Sequence, residues 1–147
     1  MTYTYEYPRP ALTVDIILFA KEPDDLSILL IKRNHVPFDG MWALPGGFIE
    51  IDETLEHATN RELHEETGIN GIALEQFYVF DSINRDPRHR VISIVFTGIL
   101  FSKLSDIKAG DDAKEVKWFS IREVPQLAFD HEEIIRKAIE RYFSGQH

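Results

Sequence analysis

Apolar positions along this chain fall into two periods. From Ala11 to Phe19, "ALTVDIILF", and from Leu26 to Lys32, "LSILLIK", short β-branched apolar runs flank Glu22-Pro23-Asp24-Asp25, a turn sequence. The pattern predicts a hairpin. Leu74 to Phe80 and Val91 to Phe101 repeat it across the polar loop "DSINRDPRHR", and Val116 to Phe119 adds a shorter strand. The second period, near that of a helix, predicts two helices. One runs from about Thr54 to Thr67, and the other from about His131 to Phe143, with Asp130 as N-cap and Glu133 completing a capping box. In the latter, Ile134, Ile135, Ala138, Ile139 and Tyr142 form one stripe, which predicts simple packing on a sheet. With no internal repeat and no linker, the 147 residues predict one α+β domain spanning 1–147.

The first helix breaks its own pattern. At about 100° per residue with Leu55 at zero, Ala58, Thr59, Leu63 and Ile69 fall within about 80° of it and define the core face. Glu62 and Glu66 fall about 20° to either side of Leu55, inside the apolar stripe, with Glu65 at its edge. Glu56, His57, Asn60, His64 and Thr67 populate the opposite, solvated side. An unpartnered carboxylate packed on a core costs several kcal/mol or is forced neutral, and clustered ones also repel. Spacing of i+3 and i+4 lets the oxygens of Glu62, Glu65 and Glu66 converge, and hard divalent cations such as Mg²⁺ or Mn²⁺ prefer oxygen ligands. A solvated glutamate helix would put its charges opposite Leu55. Arg61 lies to the side, able to pair with Glu65 or to reach back to Glu53. Gly46-Gly47 permits close backbone approach, with a glycine carbonyl as a further ligand.

Composition narrows the chemistry. No cysteine is present, which excludes disulfides, thiolate metal sites and a cysteine nucleophile. The 25 acidic residues outweigh 16 basic ones for a net charge of -9, against clamping a nucleic-acid backbone. The N-terminus has no secretory pattern and no apolar run is long enough to span a membrane, so a cytoplasmic protein without membrane partners is expected.

Gly47 to Ile69, "GFIEIDETLEHATNRELHEETGI", matches every fixed position of the Nudix box, G-x5-E-x7-R-E-U-x-E-E-x-G-U with U aliphatic: Gly47, Glu53, Arg61, Glu62, Leu63, Glu65, Glu66, Gly68 and Ile69. A chance match in a chain this long is on the order of one in ten million. The chain thus resembles the Nudix hydrolases. The resemblance implies a Nudix α/β/α sandwich with a mixed sheet and hydrolysis of a nucleoside diphosphate linked to another moiety. It implies Glu62 and Glu66 as principal ligands of Mg²⁺ or Mn²⁺, Glu65 as a further ligand or the base, Gly47 in the coordination shell, Glu53 as a supporting acid and Arg61 as its orienting partner. "RPALTVDIILF", "LIKRNHVPFDGMWALPGGF", "RDPRHRVISIVF" and "LAFDHEEII" look like the branch containing bacterial ADP-ribose pyrophosphatases and the effector domain of NAD-related Nudix regulators. ADP-ribose would give AMP and ribose 5-phosphate. The alternatives are a nucleoside triphosphate pyrophosphohydrolase and a non-catalytic ADP-ribose sensor. The regulators' additional winged helix is not expected in 147 residues.

Further candidates come from charge and aromatic placement. Arg85, Arg88 and Arg90 concentrate positive charge in one loop, and guanidinium groups fork onto phosphate oxygens. Asp15 interrupts an apolar strand and shares a face with Thr13 and Ile17, placing it to accept hydrogen bonds from adenine or ribose. Phe77 and Trp42 are candidates for stacking on adenine. Asp111, Asp112 and Glu115 are base candidates outside the box, with Glu65 favoured. His35, His89 and His131 lack ligand spacing. Tyr3, Tyr5 and Tyr7 alternate as in an arm that crosses to a second subunit, so a homodimer is expected.

Overall fold

The computed structural model describes residues 2–110 and 113–144. The first hairpin forms as expected from β1 (Ala11–Glu22) and β2 (Asp25–Arg33), closed by a turn at Pro23-Asp24. Two short strands follow, β3 (Trp42–Ala43) and β4 (Gly46–Phe48), before α1 (Leu55–Thr67). The remaining elements are β5 (Glu75–Phe80), β6 (Val91–Leu100), β7 (Ala113–Ser120) and α2 (His131–Phe143). Seven strands make one sheet with a main path β3-β2-β1-β6-β5, to which β4 adds on β1 and β7 on β2. β1 runs parallel to β6 from Ala11↔Val91 to Ala20↔Leu100 while its other pairings are antiparallel, so the sheet is mixed.

β1 reads as a continuous apolar run because both faces of the sheet are covered. Its residues alternate between two cores: Ile17 and Phe19 meet Ile134, Ile135 and Ala138 of α2, while Ile16 and Leu18 meet Leu63 and Ile69 at the other helix. Val14 packs with Ala58 on the α1 side. The result is the α/β/α sandwich expected, with a helix on each face.

α1 starts where the sequence placed it. Thr54 is its N-cap, accepting from the His57 backbone N–H at 3.1 Å, and Gly68 ends it in the left-handed region at φ 80. Two details differ from expectation. Thr67, assigned to the solvated face, is fully buried: its hydroxyl donates to the Leu63 carbonyl at 2.6 Å, and the segment ahead of β7 lies across it, Lys108 N–H donating to the Thr67 carbonyl. Asp130 occupies the N-cap position of α2, but its side chain makes no capping bond, because Arg85 has claimed it.

Candidate active site

α1 delivers its acids to one end of the sheet through the chain segment that enters it. The Pro45 carbonyl accepts from Ile16 N–H and Ile49 N–H donates to Leu12, stitching residues 44–49 onto β1. A Cβ on Gly46 would collide with the Val14 carbonyl oxygen, and one on Gly47 would lie 2.7 Å from the Glu62 carboxylate. Only glycine lets the backbone pass so close. Gly46 N–H then donates to Glu66 Oε1 at 2.6 Å, fixing a carboxylate that is only 6% exposed.

Arg61 sits among the other acids. It donates through Nε and Nη2 to both oxygens of Glu53, and through Nη1 to Glu62 at 2.8 Å and Glu65 at 3.2 Å. Arg61 thus makes both contacts anticipated for it. The acids gather around its guanidinium rather than around a common point, and among the described residues no three His, Cys, Asp or Glu side chains form a ready metal cluster. The donor set nevertheless fits a hard cation. Three carboxylates, Glu53, Glu62 and Glu65, face one guanidinium, and the carboxylates of Glu62, Glu65 and Glu66 bring their oxygens to the lining of one cavity.

Glu53 lies outside that cavity's lining and is bonded to Arg61, with His57 Nδ1 2.8 Å from it and Glu50 N–H also donating to it. Hydrogen bonds from Arg61 hold its pKa down at about 2, against an ordinary 4.5. A carboxyl with a depressed folded pKa stabilises above its unfolded value, and that contribution disappears as pH falls through the folded value. Melting temperature is therefore expected to fall between pH 4.5 and about 2, and Glu53→Gln to remove that part of the slope. Thermal melts of both proteins across this range check it.

The cavity encloses about 570 Å³, within the size range of small-molecule sites, ~300–1,000 Å³. Its other walls are Thr13, Asp15, Arg33, Phe48, Arg85, Asp86, Arg88, Phe129 and His131 among others. Three of the four substrate candidates are here. Asp15 is buried, accepts from the Ser93 hydroxyl, and stands 3.6 Å from His131 Nε2. Arg85 forks onto Asp130 at 2.9 and 2.6 Å; burial weakens its charge, but Asp130 outweighs this and raises its pKa. Arg88 forks onto Asp86 and lies 5.1 Å from the Phe48 ring. Burial pushes the Asp86 carboxyl up, yet the bonds from Arg88 prevail and hold it below its usual range.

Phe77 is elsewhere. It packs among Tyr78, Phe80 and Tyr142 against α2, so its place is in the core and its assignment to adenine is withdrawn. Trp42 is likewise edge-on to Phe119 in that core. Glu115 is an exposed β7 residue opposite Lys32, away from the cavity. Asp111 and Asp112 lie outside the described residues.

Arg33 is absent from the sequence candidates, and His131 stands there only as a histidine without ligand spacing. Arg33 continues the alternation of β2 two residues beyond Ile31, and both line the cavity, a signal that was available. His131 carried none. Fully buried at the start of α2, it accepts the Leu44 backbone N–H on Nδ1 at 3.0 Å, which leaves its proton on Nε2 facing Asp15. Burial pushes its pKa below the ordinary value and keeps the ring neutral.

An α/β/α sandwich bearing an intact box at the mouth of such a cavity defines the class. The chain belongs to the NUDIX domain family, whose model matches residues 9–142. It is 50% identical over 130 residues to an ADP-ribose pyrophosphatase of Methanocaldococcus jannaschii, covering 88% of this chain and 73% of that protein. The NUDIX domain of Shewanella oneidensis NrtR, solved in complex with ADP ribose, is 34% identical with TM-score 0.85, covering 92% of this chain and 90% of that one. NrtR solved with a 27mer DNA matches at TM-score 0.69 and 34% identity, covering 88% of this chain and 61% of that one. A bifunctional NMN adenylyltransferase/ADP ribose pyrophosphatase of Francisella tularensis, complexed with AMP and a Mn ion, is 34% identical with TM-score 0.80, covering 93% of this chain and 43% of that one. No helix among the described residues is long and apolar enough to cross a membrane.

Proposed function

We propose that this Nudix hydrolase cleaves the pyrophosphate of ADP-ribose, water and ADP-ribose giving AMP and ribose 5-phosphate. The observation that carries the reading is one shared cavity, with box acids on one wall and Asp15, Arg33 and Arg88 on the others. The 50% identity to an ADP-ribose pyrophosphatase supports the same substrate.

Glu62 and Glu66, with Glu65 and the Gly47 carbonyl, would hold Mg²⁺ or Mn²⁺. Such an ion, when bound, neutralises phosphoryl charge and makes a water nucleophilic near neutral pH. Glu65, half-exposed at the cavity edge, takes the proton of the attacking water. Arg61 keeps Glu62 and Glu65 side by side despite their like charge, and Glu53 holds Arg61 in that pose. Asp15, fixed by Ser93, offers a carboxylate to the hydroxyls of adenosine or terminal ribose.

We further infer a cytoplasmic homodimer of single domains that does not engage nucleic acid. Its charge of -9 opposes phosphate backbones, and the exposed Tyr3, Tyr5 and Tyr7 are placed to meet a second copy. The NrtR relative keeps a sensor reading in play, against which stands the complete set of box acids.

The test is incubation of ADP-ribose, other nucleoside diphosphate sugars and nucleoside triphosphates with Mg²⁺, followed by product identification. AMP with ribose 5-phosphate as the fastest-formed pair is expected. Faster release of a nucleoside monophosphate with pyrophosphate from a triphosphate overturns the substrate assignment. Binding of ADP-ribose without turnover overturns the catalytic one.

A further inference from the structure

An α-helix leaves its last carbonyls without partners, and something outside it must meet them where water is excluded. At the end of α1 the helix's own stop, Gly68, donates its N–H to the His64 carbonyl. Two later carbonyls are met from far along the chain. Lys108 N–H donates to the Thr67 carbonyl at 2.9 Å, and Gly110 N–H to the Glu66 carbonyl at 3.4 Å. Gly110 also passes hard against the main chain of Glu65. A Cβ on it would collide with the Glu65 carbonyl oxygen and lie 2.9 Å from the carbonyl carbon. Those are backbone atoms, so no rotamer change gives way: the helix turn or the crossing segment would have to move.

The crossing segment is itself held on both sides of this contact. Before it, Leu104 and Ile107 pack into the core that contains Leu63 and Ile69, and Trp118 Nε1 donates to the Leu104 carbonyl at 2.9 Å. Around it, Ala109 packs beside Ile31 and Ala128, and Ala113 N–H donates to the Gly110 carbonyl at 3.2 Å. A segment tied at both ends acts as a brace for whatever it leans on, here the turn that carries Glu65 and Glu66. Glu66 is thereby held twice, its carboxylate by Gly46 N–H at 2.6 Å and its carbonyl by Gly110.

We propose that residues 108–110 are a brace that positions Glu65 and Glu66 for the divalent ion, with Gly110 as the positioning residue. The role of the ion rests on the hydrolase reading, whereas the brace is a property of the fold. Gly68 already ends the helix, so the added bonds are not needed to stop it. They fix where its last turn lies, and removing a group that supports a metal ligand commonly costs about 10–100-fold in affinity or activity. Gly110 lies outside the cavity's lining and acts through the main chain of the two acids.

The experiment compares wild type, Gly110→Ala and Lys108→Pro, which removes the N–H that meets the Thr67 carbonyl. Gly71→Ala is the control: at φ 70 it strains the backbone too, but a Cβ there meets nothing within 4 Å. Three readouts are taken: Mn²⁺ binding without substrate, by electron paramagnetic resonance of the free ion; amide hydrogen exchange of the metal-free protein over residues 62–69; and steady-state kinetics on ADP-ribose across Mn²⁺ concentrations. Both brace variants are expected to weaken Mn²⁺ binding by about tenfold or more and to speed exchange at residues 65–69. Their kcat falls about tenfold or more at limiting Mn²⁺ and recovers as Mn²⁺ rises, while KM for ADP-ribose stays within about threefold. Gly71→Ala binds Mn²⁺ as wild type does, whatever it loses in melting temperature. Wild-type Mn²⁺ affinity in the folded brace variants overturns the proposal, with or without faster exchange, as does equal weakening in Gly71→Ala. If wild type takes up no Mn²⁺ but exchange at residues 65–69 still rises in both brace variants, the metal reading falls and the bracing of the acids stands.

Discussion

Glu66→Gln is expected to lower turnover of ADP-ribose by about 10²–10³-fold or more while the protein stays folded. The fold survives because the amide oxygen of glutamine can still accept the Gly46 N–H now donated to Glu66 Oε1 at 2.6 Å. What is lost is a negative charge in a group only 6% exposed, at the cavity wall where the proposed cation would sit. Glu62→Gln is expected to behave alike, since Arg61 can still donate to the remaining oxygen. Kinetics beside thermal melts check both variants. A large fall in melting temperature with unchanged kcat would make these acids structural.

Arg85→Met is expected to cost about 3–5 kcal/mol of stability, the effect of breaking a buried pair and stranding one charge. The Arg85 side chain is 4% exposed and its partner Asp130 16%, so little water compensates either. For a domain of this size that lowers the melting temperature by about 10 °C. The pair ties the loop after β5 to the first turn of α2, next to His131 and hence to Leu44 at the cavity. Arg85→Met/Asp130→Leu should recover most of the loss, because well-packed apolar pairs often replace buried ion pairs without penalty. Denaturant melts of the single and double variants decide it. An unchanged melt with a raised KM would return Arg85 to the substrate.

The box helix was legible because its geometry is local. Acids interrupt an apolar stripe of one helical period, and the positions of Ala58, Leu63 and Glu66 follow from counting residues around a helix. Asp15 was legible for the same reason, since alternation along β1 fixes its face whatever β1 packs against. The failures are all tertiary. Thr67 is buried because residues 107–110 cross over it, and Asp130 does not cap because Arg85, 45 positions earlier, reaches its carboxylate. Phe77 and Trp42 look alike as exposed or core aromatics until α2 and Phe119 are in place. A related gap concerns the arginines: sequence counts charges but not which are already paired, and only the structure shows Arg85 on Asp130 and Arg88 on Asp86.

On the proposed function, acids projected by α1 into the cavity chelate divalent ions. Anomalous diffraction from crystals soaked in manganese tests it most directly. A manganese peak is expected within bonding distance of the carboxylates of Glu62 and Glu66, lost in Glu66→Gln crystals. A soaked crystal with no peak there, Glu62 still on Arg61 and Glu66 still on Gly46, would contradict it.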